Sequence, residues 1–160
     1  GPSYKGISLA TLTCEGLKEL YGMDKRYMYD RKEEKEYGDL TADKVIVGAG
    51  YFKPGQKILV VDDTITTGAT KVESIEKLKL LGEHTIVGFI IAVDRQEKLG
   101  DADNVEEQGA VEYIENELGI KVFSLENITT IYNKIKDSVD DEMRRLWIEY
   151  YEKYGTEKLV

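Results

Sequence analysis

The 160-residue chain carries 31 acidic against 22 basic residues, and its formal net charge of −9 argues against broad nucleic-acid or membrane-surface binding, which needs a basic footprint. A single cysteine, Cys14, excludes an internal disulfide, and no stretch resembles a signal peptide or an apolar span of about 20 residues. These features predict a cytoplasmic protein with one domain over residues 1–160, long enough to bury about 70% of its unfolded surface, in which any anion site is local.

In chain order, residues 7–21 place Ile7, Leu9, Ala10, Leu12, Leu17 and Leu20 on a helical stripe with Gly22 as its C-cap, and Cys14 falls inside it as a small packing residue. Residues 26–30 predict a short strand that delivers a charged segment. That segment, 32–41, has too few apolar side chains to order itself, so a mobile loop is expected over 31–43. Residues 44–49 and 56–62 are β-rich on either side of Pro54-Gly55, which predicts a hairpin leading into a central strand. Val72, Ile75, Leu78 and Leu81 recur every three residues, and Gly82 closes the helix they imply. A long apolar strand follows over 85–93, with Asp94 and Arg95 at its end; a helix is predicted over 105–118, a strand over 121–125 and a short helix over 128–135. A last helix, 139–154, sets Met143, Leu146, Trp147 and Tyr150 on one side, for packing on the domain or on a partner subunit. The alternation predicts an α/β fold with a mainly parallel twisted sheet flanked by helices. The only histidine, His84, precedes a strand and reads as a surface or structural residue.

The run Lys57–Thr70, KILVVDDTITTGAT, joins four apolar residues, two carboxylates and a Thr/Gly-rich turn ahead of a helix-like pattern. Ile58, Leu59, Val60 and Val61 read as a buried parallel strand, with Asp62 and Asp63 at its carboxyl end, where open α/β sheets bind ligands. The following turn offers hydroxyls, Gly68 and free amides at a helix N-terminus, a setting that favours an anion. The carboxylates repel that anion; they suit sugar hydroxyls or Mg²⁺. A solvated strand end and the Mg²⁺-side strand of an ATPase share the pattern. The ATPase needs a partner loop G-x-x-x-x-G-K-[ST], and the nearest stretch, GYFKPGQK, has Gln56 where the lysine belongs. A dinucleotide fingerprint fails at Lys53, where its third glycine should stand. By composition alone, Arg31, Lys32 and Lys35 among three glutamates read as a solvated face, Lys5 as a turn lysine, and Arg95 as a strand-end residue paired with Glu97 or Asp94.

The stretch Val60-Val61-Asp62-Asp63-Thr64-Ile65-Thr66-Thr67-Gly68 resembles the phosphoribosyl pyrophosphate (PRPP) motif of type I phosphoribosyltransferases. Three further segments narrow the resemblance. Residues 29–38, YDRKEEKEYG, are similar to the catalytic loop of orotate phosphoribosyltransferases, with core R-K-x-x-K-x-H-G; residues 1–7 resemble that family's pyrophosphate loop; and Asp94-Arg95-Gln96-Glu97 resembles the segment presenting an arginine to orotate. All four stand in family order.

The resemblance implies a type I phosphoribosyltransferase fold and transfer of phosphoribose from PRPP to orotate. The products would be orotidine 5′-monophosphate and diphosphate, in pyrimidine (UMP) biosynthesis. It implies Mg²⁺ carried by PRPP near Asp62 and Asp63 rather than held by dedicated ligands, and a homodimer whose catalytic loop crosses to the neighbouring subunit. Lys5, Arg31, Lys32, Lys35 and Tyr37 are then expected on pyrophosphate, Asp62 and Asp63 on the ribose, Thr64 on PRPP, and Thr66, Thr67, Gly68, Ala69 and Thr70 around its 5′-phosphate. Thr66 and Arg95 are expected on orotate, and Lys35, Asp62 and Asp63 form the catalytic set. Tyr37 departs from the family's histidine and removes a donor that is cationic near neutrality, which shifts the loop's work onto its lysines. The chain opens inside the pyrophosphate loop, so the family's N-terminal hood and first core strand are expected to be absent. A transferase acting on another base, or a PRPP-binding regulator without catalysis, fits the same sugar-phosphate motif.

Overall fold

A computed structural model describes residues 1–32, 41–65, 69–100 and 104–160, with only the backbone at 69–71. The loop residues Lys35 and Tyr37 and the turn residues Thr66, Thr67 and Gly68 lie outside the described residues, as do the side chains of Ala69 and Thr70. The described chain groups into two compact units, Gly1–Asp63 with Thr70–Ile90, and Thr64–Ala69 with Ile91–Val160.

The chain alternates strands and helices, as the hydrophobic pattern predicts. Helix α1 spans Lys5–Tyr21 and ends at Gly22, whose left-handed φ of 67° lets its amide reach the Leu17 and Lys18 carbonyls. Its apolar stripe is less buried than expected: Ala10 is buried, while Leu12 and Leu20 are exposed. The strand expected over 26–30 shrinks to β1, Tyr29–Asp30. The hairpin expected around Pro54-Gly55 does not form. Instead a short helix α2, Ala42–Val45, leads into β2, Ile46–Val47, which pairs antiparallel with β1. Gly55, at a φ of 79°, spends its amide on the Glu83 carbonyl rather than on a hairpin partner.

Strand β3, Gln56–Ile65, is followed by α3, Ala69–Lys79, and by β4, His84–Asp94, the β-α-β order of a parallel sheet. With β7, Val122–Asn127, these strands form a three-stranded sheet in the order β3-β4-β7. Val60, Ile65, Phe89 and Ile91 are buried on these strands. The helix expected over 105–118 begins late. Residues 105–109 form β6, Val105–Gly109, antiparallel to β5, Lys98–Gly100, and only Ala110–Leu118 is the helix α4. A side chain at Gly109 would meet Thr156 Cγ2 at 2.8 Å, so the hairpin admits no larger residue there without a shift.

Helix α5 is Ile128–Ile135, as predicted, and α6 is Asp141–Tyr154. Both start on side-chain caps: Asn127 accepts from the Thr130 amide at 2.9 Å, and Asp140 from the Met143 amide at 2.7 Å. The buried face of α6 is rotated from the expected one. Trp147, Ile148 and Tyr151 pack with Tyr132, Leu159 and Ile128, and the Trp147 ring meets Tyr132 edge-on at 5.4 Å, while Met143 and Leu146 stay largely exposed. In the first unit Val45, Ile46 and Ala49 form a core with Met28, Ala42, Leu78 and Leu81. Among the described residues no helix is long and apolar enough to cross a membrane.

Because each cap satisfies an otherwise orphaned amide, Asn127→Ala and Asp140→Ala are each expected to lower unfolding free energy by about 1 kcal/mol, read by denaturant or thermal unfolding.

Candidate active site

Strand β3 does not stop before its acidic pair but carries it. Pleating puts Asp62 on the same face as buried Val60, leaving the residue 6% exposed, while Asp63 faces the other way and is half-buried. Asp62 Oδ1 accepts from the Asp63 amide at 2.9 Å. Gly6, in the first turn of α1, sits against that carboxylate, since a Cβ there would lie 3.1 Å from Asp62 Oδ1 and 2.8 Å from Pro2 Cδ. This close approach of α1 to β3 delivers the neighbouring Lys5, whose Nζ meets Asp63 Oδ2 at 2.9 Å. The hydrogen bond and charge of Asp63 hold the Lys5 ammonium above its ordinary pKa. Two segments 58 residues apart in sequence thus converge on one ion pair. Among the described residues no three His, Cys, Asp or Glu side chains gather as a metal cage.

The loop before Lys5 is anchored through its backbone. The Gly1 nitrogen donates to the Met28 carbonyl at 2.7 Å, and the Ser3 amide to Asp30 Oδ1 at 2.5 Å; the Ser3–Tyr4 peptide is cis. Arg31 follows Asp30, and its amide donates to the Val45 carbonyl at 2.7 Å, while its side-chain Nε is buried with no hydrogen-bond partner. Lys32 Nζ lies 5.2 Å from the centre of the Tyr4 ring, a cation–π contact beside the Lys5 loop. Lys5, Arg31, Lys32, Asp62 and Asp63 therefore belong to the first unit. Thr64, half-buried near the end of β3, belongs to the second.

Asp30 and Lys77 complete this neighbourhood, and sequence reading assigns neither a role. Lys77 Nζ, on α3, contacts Glu73 Oε1 at 2.7 Å, Asp30 Oδ2 at 3.3 Å and the Arg31 carbonyl at 3.3 Å. Burial alone would lower its pKa; the hydrogen bonds and charges of Glu73 and Asp30 outweigh that and raise it. The Glu73–Lys77 spacing of four is the one local signal in the sequence, and it reads as an ordinary helix-surface pair.

In the second unit Arg95 is paired with Glu97, Nη2 to Oε1 at 2.5 Å, as composition alone suggests. Glu97 is only 9% exposed and its same oxygen accepts from the Tyr150 hydroxyl at 2.9 Å. Tyr151 OH donates to the Arg95 carbonyl at 2.8 Å. Gln96 adopts a positive φ of 51° and is held by Thr129, whose amide and hydroxyl both donate to its Oε1 at 3.0 and 2.6 Å. A cavity of about 360 Å³ borders this segment, but Asp94, Glu97, Glu112, Glu115 and Glu157 line it, a poor setting for an anion. His84 is engaged structurally: its Nδ1 lies 2.6 Å from the Gly82 carbonyl and its ring packs edge-on to Phe52.

A β-α-β unit with adjacent carboxylates on its first strand and a lysine-bearing loop set against them is the arrangement expected of a type I phosphoribosyltransferase. No protein-family model matches the chain. Curated proteins do, among them two orotate phosphoribosyltransferases: that of Bifidobacterium adolescentis is 36% identical over 97% of this chain and 67% of its own length, and that of Agathobacter rectalis 33% identical over 97% and 69%. The crystal structure of the orotate phosphoribosyltransferase of Francisella tularensis superposes with a TM-score of 0.67 at 32% identity, over 97% of this chain and 68% of that one. The chain belongs to the orotate phosphoribosyltransferase family, a family of pentosyltransferases.

Burial, with the Glu97 charge next, pushes Tyr151 up to about 12. The unfolded chain releases this proton near pH 10, before the folded one does, so the stability it contributes is complete below pH 10 and is lost as pH rises toward about 12. Spectrophotometric titration should show a late-ionising tyrosine that Tyr151→Phe removes.

Proposed function

We propose that the chain catalyses transfer of the phosphoribosyl group from PRPP to orotate, giving orotidine 5′-monophosphate and diphosphate, as the names of its relatives indicate. The observation that carries this reading is the Lys5–Asp63 contact at 2.9 Å, which joins the pyrophosphate-loop motif to the ribose motif in space. With PRPP bound, Lys5 would turn from Asp63 to the diphosphate. Asp62 and Asp63 would accept hydrogen bonds from the ribose hydroxyls and favour positive charge developing at C1 as diphosphate departs. Residues 66–70 would hold the 5′-phosphate through amides and hydroxyls at the start of α3. Arg31, Lys32 and Lys35, with Tyr37, would meet the departing charge, and closure of the 31–43 loop would exclude water from the electrophilic sugar. Arg95 offers a planar fork that matches a carboxylate, with Thr66 beside the base; lysine would not reproduce that geometry.

The donor set also fits Mg²⁺. Hard carboxylate oxygens at Asp62 and Asp63, without a third protein ligand among the described residues, suit an ion that keeps its waters and arrives on substrate phosphates. When bound, it would offset diphosphate charge. A cytoplasmic homodimer with loops exchanged between subunits belongs to the same proposal.

The direct test incubates the protein with PRPP, Mg²⁺ and orotate while orotate absorbance is followed. Conversion is expected, and Lys5→Ala should reduce turnover about 100-fold, the usual scale for removing one positioned donor. Turnover of another base with no loss of orotate would reject the substrate, and PRPP binding without any turnover would favour a regulator. In the loop, Lys35→Ala should cost more turnover than Tyr37→Phe; the reverse order would show that Tyr37 has taken over the missing histidine's work.

A further inference from the structure

Lys77 is a mostly buried cation that the proposed chemistry does not use: its side chain is 14% exposed and that of Asp30 15%. An ammonium has three protons to donate, and here Glu73, Asp30 and the Arg31 carbonyl face them. Two of these partners lead to the diphosphate side of the site. Asp30 uses its other carboxylate oxygen to hold the Ser3 amide, two residues before Lys5. The Arg31 carbonyl belongs to the first cation of the charged loop. One ammonium on α3, the helix that follows the 5′-phosphate turn, therefore fixes both the backbone that presents Lys5 and the point where the charged loop leaves β1.

We propose that Lys77, acting through Asp30, is a positioning residue for diphosphate recognition: it holds the Lys5 loop and the root of the Arg31 loop in register with α3. The inference rests on the assignment of Lys5 and Arg31 to diphosphate. It separates from a merely structural ion pair in one respect. A structural pair would change stability, or all kinetic constants together, whereas a positioning pair changes affinity for PRPP and pyrophosphate and leaves orotate alone. The acidic neighbours also explain why a cation is needed there. Without it, Asp30 and Glu73 would face each other as like charges, and Asp30 would be a largely buried carboxylate deprived of its cation.

The test compares the wild type with Lys77→Met, which keeps the aliphatic stem, with Lys77→Arg, and with the double variant Asp30→Asn/Lys77→Met. Kinetics supply KM for PRPP and for orotate, calorimetry supplies Kd for inorganic pyrophosphate and Mg²⁺-PRPP, and thermal unfolding supplies Tm. Lys77→Met should raise KM for PRPP and Kd for pyrophosphate about tenfold, a modest misplacement effect, with KM for orotate unchanged and most of the loss recovered in Lys77→Arg. The double variant, which buries no unpaired charge, should regain Tm without regaining PRPP affinity. It carries the comparison if Lys77→Met does not fold. Equal shifts of both KM values, a change in Tm alone, or recovery of PRPP affinity in the double variant would overturn the inference. A wild type that binds PRPP but spares orotate would defeat the substrate assignment and leave the calorimetric contrast to decide the role of Lys77; a wild type that binds neither PRPP nor pyrophosphate would defeat both.

Discussion

Asp62 is a carboxylate inside a strand of branched apolar residues, and the arrangement of the first unit follows from accommodating it. An ionised group taken from water is costly unless hydrogen bonds replace its hydration. Here the next residue's own amide supplies one, which ties the charge to the local path of β3. The carboxylate also lies close to α1: a Cβ at position 6 would stand 3.1 Å from Asp62 Oδ1 as well as 2.8 Å from Pro2 Cδ. That proximity sets Lys5 on Asp63, so the inward-facing acid determines where the outward-facing acid finds its cation.

The contrast between the two acids is one of environment rather than chemistry. Adjacent residues on a pleated strand point to opposite faces, so identical side chains acquire different exposures and different partners. Asp63 keeps its partner on a long, exposed stem that can swing to an arriving anion, whereas Asp62 accepts from the backbone amide of its neighbour. A backbone-tied acceptor beside an exchangeable one suits the proposed task of orienting a neutral sugar while releasing a highly charged leaving group.

Local signals in the chain located what local physics controls. The Gly22 stop of α1 and the Ile128–Ile135 helix are where glycine chemistry and apolar spacing put them. The acidic pair, its lysine and the strand-end arginine were legible as motifs. What escaped depends on partners outside each segment. Val105–Gly109 contains no strong strand signal and becomes extended because Lys98–Gly100 pairs with it. Residues 46–47 pair back to β1 rather than forward across Pro54-Gly55, a choice that nothing in residues 44–62 dictates. The inward face of α6 turned on where Tyr132 and Leu159 present their surfaces, which favours Ile148 and Tyr151 over Met143 and Leu146. Lys77 escaped for the same reason: its sequence neighbour Glu73 supplies an unremarkable pair, and Asp30, the partner that gives it significance, is 47 residues away.

The shared oxygen of Glu97 has an evolutionary consequence. One carboxylate oxygen serves the Arg95 guanidinium and the Tyr150 phenol at once, while Tyr151 secures the arginine's own carbonyl. Drift at position 95 toward a neutral side chain would strand a nearly enclosed anion with a phenol as its remaining named partner. Substitution of this arginine is therefore expected to be accompanied by change in the glutamate or the tyrosines, so that position 95 and the C-terminal helix are inherited as a unit.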